Sequence, residues 1–294
     1  MKTSHLNINE KLIIHHVGGR AGSRSFPILD AFEKDIVNVL YEADESCVLQ
    51  VAENWSKQSC LTKVLPYCLS EKNGTTSFNI NYDPYTSSIY PMNPRYASFY
   101  YKYPGSNFDY VIGDTFRTIK NVQIPTITLD TVVIQKEEVP SPDYLSIDTQ
   151  GSELDILKGA LECLDTTILA VCSEVSLHQI YEGQPLLGDI CLLLSKYDFD
   201  LVDVKMFNKL HPIRGKNGFR GEGYDVQGEA LFLKRPKACK DSLQLHKLAY
   251  IATVYGQFEC AQQCFESADF EFPPPLLKIL ILRHSQVISN LFHG

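Results

Sequence analysis

Apolar residues along the chain fall into short runs cut apart by polar turns. The first run, Leu12 to Val17 (LIIHHV), has the length of a buried strand and breaks at once into Gly18-Gly19-Arg20-Ala21-Gly22. Ser23 or Ser25 then caps a predicted short helix, with Pro27 in its first turn, that runs to about Glu33. A second strand, Ile36 to Tyr41, ends in the acidic tip Glu42-Ala43-Asp44-Glu45, and a helix over Cys47 to Trp55 follows. Lys63 to Leu69 reads as a third strand, and Asn73-Gly74, between it and Thr75 to Ile80, has the composition of a hairpin turn. Further on come strand Val122 to Leu129, strand Tyr144 to Asp148, helix Glu153 to Leu164, strand Ile168 to Val175 and helix Asp189 to Tyr197. Strands Phe199 to Met206 and Glu229 to Lys234 close the series. Strands and helices alternating at these lengths predict an α/β fold with a mainly parallel sheet covered on both faces. The last two strands have no helix between them, which predicts an antiparallel member at the sheet edge.

Two segments break the pattern. Residues 82–110 hold half of the chain's 16 tyrosines, are rich in proline and show little period, which predicts an inserted loop able to lie over a site. After Arg235-Pro236 the pattern is purely helical: Leu245, Leu248, Ala249, Ala252, Gly256, Ala261, Phe265, Ala268 and Pro273 fall at the spacing of one tetratricopeptide-like hairpin, and a helix over Leu276 to Phe292 follows. The division expected is therefore 1–236 for the α/β domain and 237–294 for a helical appendage. One such hairpin cannot bury its apolar face alone, so it must dock on the sheet or on a second copy of the chain; the size of a typical helix-pair interface favours a homodimer through these helices.

Composition narrows the class. At 294 residues, 44% hydrophobic and 21% charged, the chain has ordinary globular composition, and its net charge of -8 argues against a chain-wide grip on nucleic acid or anionic lipid. No stretch reaches the roughly 18 apolar residues of a membrane span. Nine cysteines, an odd number without a C-x-x-C pair, suit a reducing compartment, and a cytoplasmic location is expected.

The first strand, glycine turn and helix place free backbone N–H groups and a helix N-terminus beside any ligand there. Glu42, at the tip of the second strand, is spaced to accept hydrogen bonds from ribose hydroxyls. Downstream, Ile147-Asp148-Thr149-Gln150-Gly151-Ser152-Glu153 is followed by Leu157-Lys158-Gly159-Ala160, Glu174-Val175 and Tyr181-Glu182-Gly183-Gln184, with Thr128-Leu129-Asp130 just upstream. This ordered string resembles the FkbM-type S-adenosylmethionine (SAM) methyltransferases, over roughly Leu12 to Lys234. The family's first glycine loop usually reads D-V-G-A-N-x-G; this chain has His16 and Arg20 in place of the acid and the asparagine.

The resemblance implies a seven-stranded Rossmann-like methyltransferase sheet with SAM across the C-terminal ends of its first strands. Carried over by position, Gly18, Gly19 and Gly22, with His16 at the usual acid's place, would approach the methionine part, Glu42 the ribose, and Leu69 and Ser70 the adenine. Asp148 would face the sulfonium and the acceptor. For an alcohol acceptor, Asp148, Glu174 and His178 all end neighbouring strands, and His178 is the first choice as base because imidazole titrates near neutral pH. No ligand spacing favours a metal. The function implied is O-methylation of a hydroxyl on a small molecule or glycan. The alternative is a non-catalytic SAM-fold module with a partner-binding helical tail. An NAD-linked oxidoreductase would need G-x-G-x-x-G after the first strand, which is missing. The basic stretch Lys205, Lys209, Arg214, Lys216 and Arg220 reads either as a solvated loop or as a grip on an anionic acceptor.

Overall fold

The computed structural model describes residues 11–18, 36–43, 45–55, 61–102, 109–214 and 221–268. The glycine loop beyond Gly18, the helix expected from Ser23 to Glu33, and the last expected helix, Leu276 to Phe292, lie outside them. In chain order the main elements are β1 (Leu12–Val17), β2 (Ile36–Tyr41), α1 (Glu45–Trp55), β3 (Leu61–Leu65), β4 (Cys68–Leu69) and β5 (Gly74–Asn81). Then come β6 (Tyr100–Lys102), β7 (Asp109–Val111), α2 (Ile112–Thr115), β8 (Thr118–Ile127), β9 (Tyr144–Ile147), α3 (Glu153–Lys158) and α4 (Leu161–Thr166). The last are β10 (Ala170–Ser176), α5 (Leu187–Leu194), β11 (Phe199–His211), β12 (Tyr224–Lys234), α6 (Ser242–Val254) and α7 (Phe258–Ser267).

Among the described residues the sheet is mixed and nine-stranded, in the order β3-β2-β1-β9-β10-β12-β11-β6-β7, rather than seven-stranded. The five strands from β3 to β10 are parallel. β12 runs antiparallel between β10 and β11, so the antiparallel strand is internal and not at the edge as expected. The edge belongs instead to β6 and β7, supplied by the insertion, with Leu210 of β11 opposite Tyr101. Their three-residue length left no period to read.

Alternation along the strands sorts the core into two layers. Val17, Tyr41, Leu145, Ile147, Val171 and Phe232 pack with Ile156, Leu157, Leu164 and Ile190 from α3 to α5. The opposite face carries Leu12, Ile14, Tyr144, Cys172, Leu231 and Leu233, and α6 and α7 cover it with Leu248, Ala249, Ala252, Ala261 and Phe265. Lys247 of α6 fixes the dock, its Nζ 2.7 Å from Asp143 Oδ2, which also accepts the Ile13 N–H at 2.8 Å. The described part of the tail therefore packs on its own sheet, the first of the two alternatives, and that face is not available for dimerisation.

The expected third strand ends early. Pro66 has no N–H to extend the ladder on β2, and the chain turns away, so that Cys68–Leu69 joins a second sheet of order β4-β8-β5. Asn73-Gly74 makes no hairpin between β4 and β5, because β8 lies between them. Asn73 instead ties the loop to the turn after β8: its Oδ1 accepts the Thr128 N–H at 2.8 Å and its Nδ2 donates to Thr131 Oγ1 at 3.0 Å. The helix expected over Glu153 to Leu164 divides into α3 and α4 at Gly159, where a Cβ would stand 2.1 Å from the Ser70 carbonyl oxygen. Asp130 restarts it, accepting the N–H groups of Glu162 and Cys163, both at 3.0 Å.

The second sheet is two-sided. Ser77, Asn79 and Asn121 form a hydrogen-bonded ladder on its outer face: Ser77 Oγ donates to Asn121 Oδ1 at 2.8 Å, and Asn121 Nδ2 to Asn79 Oδ1 at 2.9 Å. Phe78, Ile80, Val122 and Ile124 alternate with these and point the other way.

Candidate active site

A cavity of about 600 Å³ opens over the C-terminal ends of β1, β2, β4 and β9. Gly18, Glu42, Leu69 and Asp148, expected from the sequence to meet at one ligand, all line it. Its roof comes from the second sheet and from Pro84, Tyr85, Ser87 and Ile89, so the insertion does lie over the site.

Gly18 fits only as glycine. Its φ is +101°, and a Cβ there would meet the Asp148 carbonyl oxygen at 1.8 Å. The close approach is held by Asp148 N–H donating to Val17 O at 3.0 Å and Gly18 N–H donating to Tyr41 O at 3.2 Å. These bonds lock three strand ends together. Glu42 is 7% exposed. Beside it burial pushes the Cys68 thiol up to about 11, with the Glu42 charge adding to the effect, so this cysteine stays a neutral thiol.

The signature turn after β9 builds a carboxyl cluster. Gln150 takes a left-handed φ of 59° and Gly151 one of 108°. That twist brings Gln150 Nε2 to Asp148 Oδ1 at 3.3 Å and to Glu174 Oε2 at 3.1 Å, so both of its amide hydrogens are spent on the two carboxyls. Tyr181 steers the amide, its hydroxyl lying 2.7 Å from Thr86 O and 3.3 Å from Gln150 Oε1. Glu153 closes the turn, accepting the N–H groups of Thr149 and Gly151 at 3.0 and 3.1 Å.

Burial raises the Glu174 carboxyl well above the usual range, and the charges of Asp148 and Glu153 raise it further. Burial also raises Asp148, while bonds from Gln150 and Glu174 hold it lower than burial alone would. Both carboxyls are thus pushed toward their protonated forms, Glu174 the more strongly. Burial pushes Glu153 up to about 7. Among the described residues, no group of three or more His, Cys, Asp or Glu side chains is arranged to hold a metal ion.

Of the other expected residues that are described, His16, Ser70, Glu174 and His178 stand apart from the cavity wall. His16 is 5% exposed, with Nδ1 2.8 Å from Ser146 Oγ and no partner for Nε2 among the described residues. Burial holds its imidazole down at about 4, so it is neutral. Ser70 is held by its backbone, donating N–H to Ile127 O at 3.0 Å and presenting its carbonyl to Gly159. His178 does not line the cavity; its Nδ1 is 3.3 Å from the Tyr96 hydroxyl and its ring stacks on Tyr224. Gly19 and Gly22 fall outside the described residues. Lys205 and Lys209 face acids, Asp203 at 3.3 Å and Asp225 at 3.0 Å, and neither lines the cavity. Sequence reasoning missed Gln150 as a site residue and missed the apolar roof; the alternation in Phe78-Asn79-Ile80 and Val122-Gln123-Ile124 was the available signal for the second.

A mixed α/β sheet with a crevice across the C-terminal ends of its parallel strands has the ligand-binding arrangement of open α/β folds. Residues 6–201 match the family described as Methyltransferase FkbM domain, and the chain belongs to this family. No curated protein matches it. Solved structures resemble it weakly. A methyltransferase FkbM from Methylobacillus flagellatus has 13% identity and a TM-score of 0.41, over 76% of this chain and 44% of that one. Precorrin-6y C5,15-methyltransferase from Geobacter metallireducens has 9% identity and a TM-score of 0.37, over 76% and 80%. Magnesium protoporphyrin IX methyltransferase from Synechocystis, solved with bound SAM, has the same identity and TM-score, over 76% and 70%.

Proposed function

We propose that the chain binds SAM in the 600 Å³ cavity and transfers its methyl group to a hydroxyl of a small-molecule acceptor. The observation that carries this reading is the convergence of Gly18, Glu42, Leu69 and Asp148 from four strand ends on one wall. The residues present suit the cofactor. Glu42 offers a carboxylate to ribose hydroxyls, Leu69 and the neutral Cys68 offer an apolar bed for a purine, and Asp148, the less strongly raised of the two carboxyls, offers its carboxylate to a sulfonium.

When bound, SAM supplies an activated methyl with a neutral leaving group, so this chain's task is mostly alignment. Asp148 orients the acceptor hydroxyl by accepting its hydrogen bond, and the Asp148–Glu174 pair receives its proton as the C–O bond forms. Gln150 holds the two carboxyls in register throughout. The roof excludes water, which would otherwise compete for the same carboxylate.

Titration calorimetry with SAM and S-adenosylhomocysteine (SAH) tests the reading. Both are expected to bind one per chain, and Glu42→Ala is expected to weaken both by about 1.5–3 kcal/mol, the scale of a hydrogen bond to a charged group. A native chain that binds neither, or a Glu42→Ala variant with native affinity, overturns it.

A further inference from the structure

The roof of the cavity has its own chemistry. Phe78, Ile80, Val122 and Ile124 form one apolar face of the second sheet, with Phe78 directly opposite Val122. A sheet face of this kind ordinarily covers a core. Here all four side chains line the cavity and belong to none of the hydrophobic clusters formed by the described residues. Their burial is only intermediate, while the polar outer face is stiffened by the Ser77–Asn121–Asn79 ladder. A rigid roof thus presents uncovered apolar area to a ligand space.

Charge narrows the ligand further. Among the described residues, no Lys, Arg or His lines the cavity, and its ionisable carboxyls, Glu42 and Asp148, are on the floor. Lys120 shares the roof face opposite Ile80, yet it is exposed and outside the cavity wall. An anion under this roof would lose its hydration, gain no cation among the described residues, and face two carboxyls.

Resting on the proposed methyl transfer, we infer that the roof selects an uncharged, largely apolar acceptor carrying a hydroxyl, and excludes phosphorylated, sulfated or carboxylated ones. Lys205 and Lys209 of the basic stretch, each paired with an acid and off the cavity wall, play no part in holding the acceptor.

A pair of fluorescent probes with one ring framework tests this on the full chain: neutral N-phenyl-1-naphthylamine and its anionic relative 8-anilino-1-naphthalenesulfonate. With SAH saturating, the neutral probe is expected to bind one per chain, and the sulfonate at least about tenfold more weakly. Ile124→Glu should weaken the neutral probe by about tenfold or more, and the milder Phe78→Ala by about threefold, with SAH affinity unchanged within about twofold in both. Three results overturn the inference: no binding of the neutral probe, equal or tighter binding of the sulfonate, or neutral-probe affinity that ignores both substitutions. The same titration without SAH separates the two readings. A chain that binds no SAH but shows this probe pattern refutes the methyl-transfer reading and leaves the apolar roof standing.

Discussion

Replacing Gly18 by alanine is the sharpest single test of how the site is assembled. The new Cβ would lie 1.8 Å from the Asp148 carbonyl oxygen, and such contacts are essentially never shorter than 3.0 Å, so the ends of β1 and β9 must part by the difference. Parting them strains or breaks the bonds from Asp148 N–H to Val17 O and from Gly18 N–H to Tyr41 O, at about 1 kcal/mol each. A non-glycine residue at φ +101° adds about 1–3 kcal/mol of backbone strain. The expected loss is about 3–5 kcal/mol, a large share of a total stability of roughly 5–15 kcal/mol, and a melting temperature lower by about 10 °C. Because the carboxyl of Asp148 moves with its backbone, methyl transfer should fall about 10²-fold in whatever fraction stays folded. Gly159→Ala is the companion, since it brings a clash at 2.1 Å with Ser70 O without a positive φ, and it sits away from the cavity. It should cost stability and spare SAH affinity. Calorimetric melting and SAH titration read both variants. A Gly18→Ala protein that melts and binds SAH as the native chain does would refute the account of the three strand ends.

Glu174→Gln and Asp148→Asn should each lower kcat about 10²-fold while SAH affinity holds, and Asp148→Asn should erase the rise of rate with pH that ionisation of the raised Asp148 carboxyl produces. His178→Ala should keep its rate within about threefold; a loss as large as that of Asp148→Asn would reinstate the histidine as base. His16 titrates near 4 when folded and near 6.5 when unfolded, so the unfolded chain binds the extra proton and stability falls as pH drops through that window, by on the order of 3 kcal/mol. Glu153, raised to about 7, acts in the opposite sense, its contribution being lost as pH rises through 7. The difference between the native chain and His16→Asn in urea unfolding isolates the histidine, and parallel pH curves would refute its neutral burial. Deleting residues 241–294 should expose Leu12, Ile14, Leu231 and Leu233 and cause aggregation in light scattering; a soluble truncated monomer would refute the docking of α6 and α7.

What the sequence made legible was what local pattern controls. β1, β2 and β9 are runs of four to six residues with buried apolar side chains, and their C-terminal ends carried Gly18, Glu42 and Asp148 to the cavity by the rule of strand-end crevices. Long-range pairing was not legible. The placement of β8 between β4 and β5 depends on Asn73 reaching Thr128, a contact 55 residues away that overrides the local turn preference of Asn73-Gly74. The internal place of β12 likewise follows from which strand it pairs with, and a strand's own residues carry no such address. His178 shows the limit for sites: ending next to the correct strand did not bring it to the cavity, because Tyr96 and Tyr224 hold its ring among the aromatic residues of the insertion and β12.

The dock of α6 on the sheet also sets an order of events during synthesis. Ile14 emerges about 235 residues before Ala249, a member of the same buried cluster in the finished core. At about 5–20 residues per second, the lower face of β1 waits roughly 12–50 s for its cover, while β2, β9 and β10 leave the ribosome and stand in the same half-clothed state. The sheet's early strands therefore stay half-covered through most of this synthesis, and the nascent chain offers a hydrophobic plane to chaperones until residues near 265 have cleared the exit.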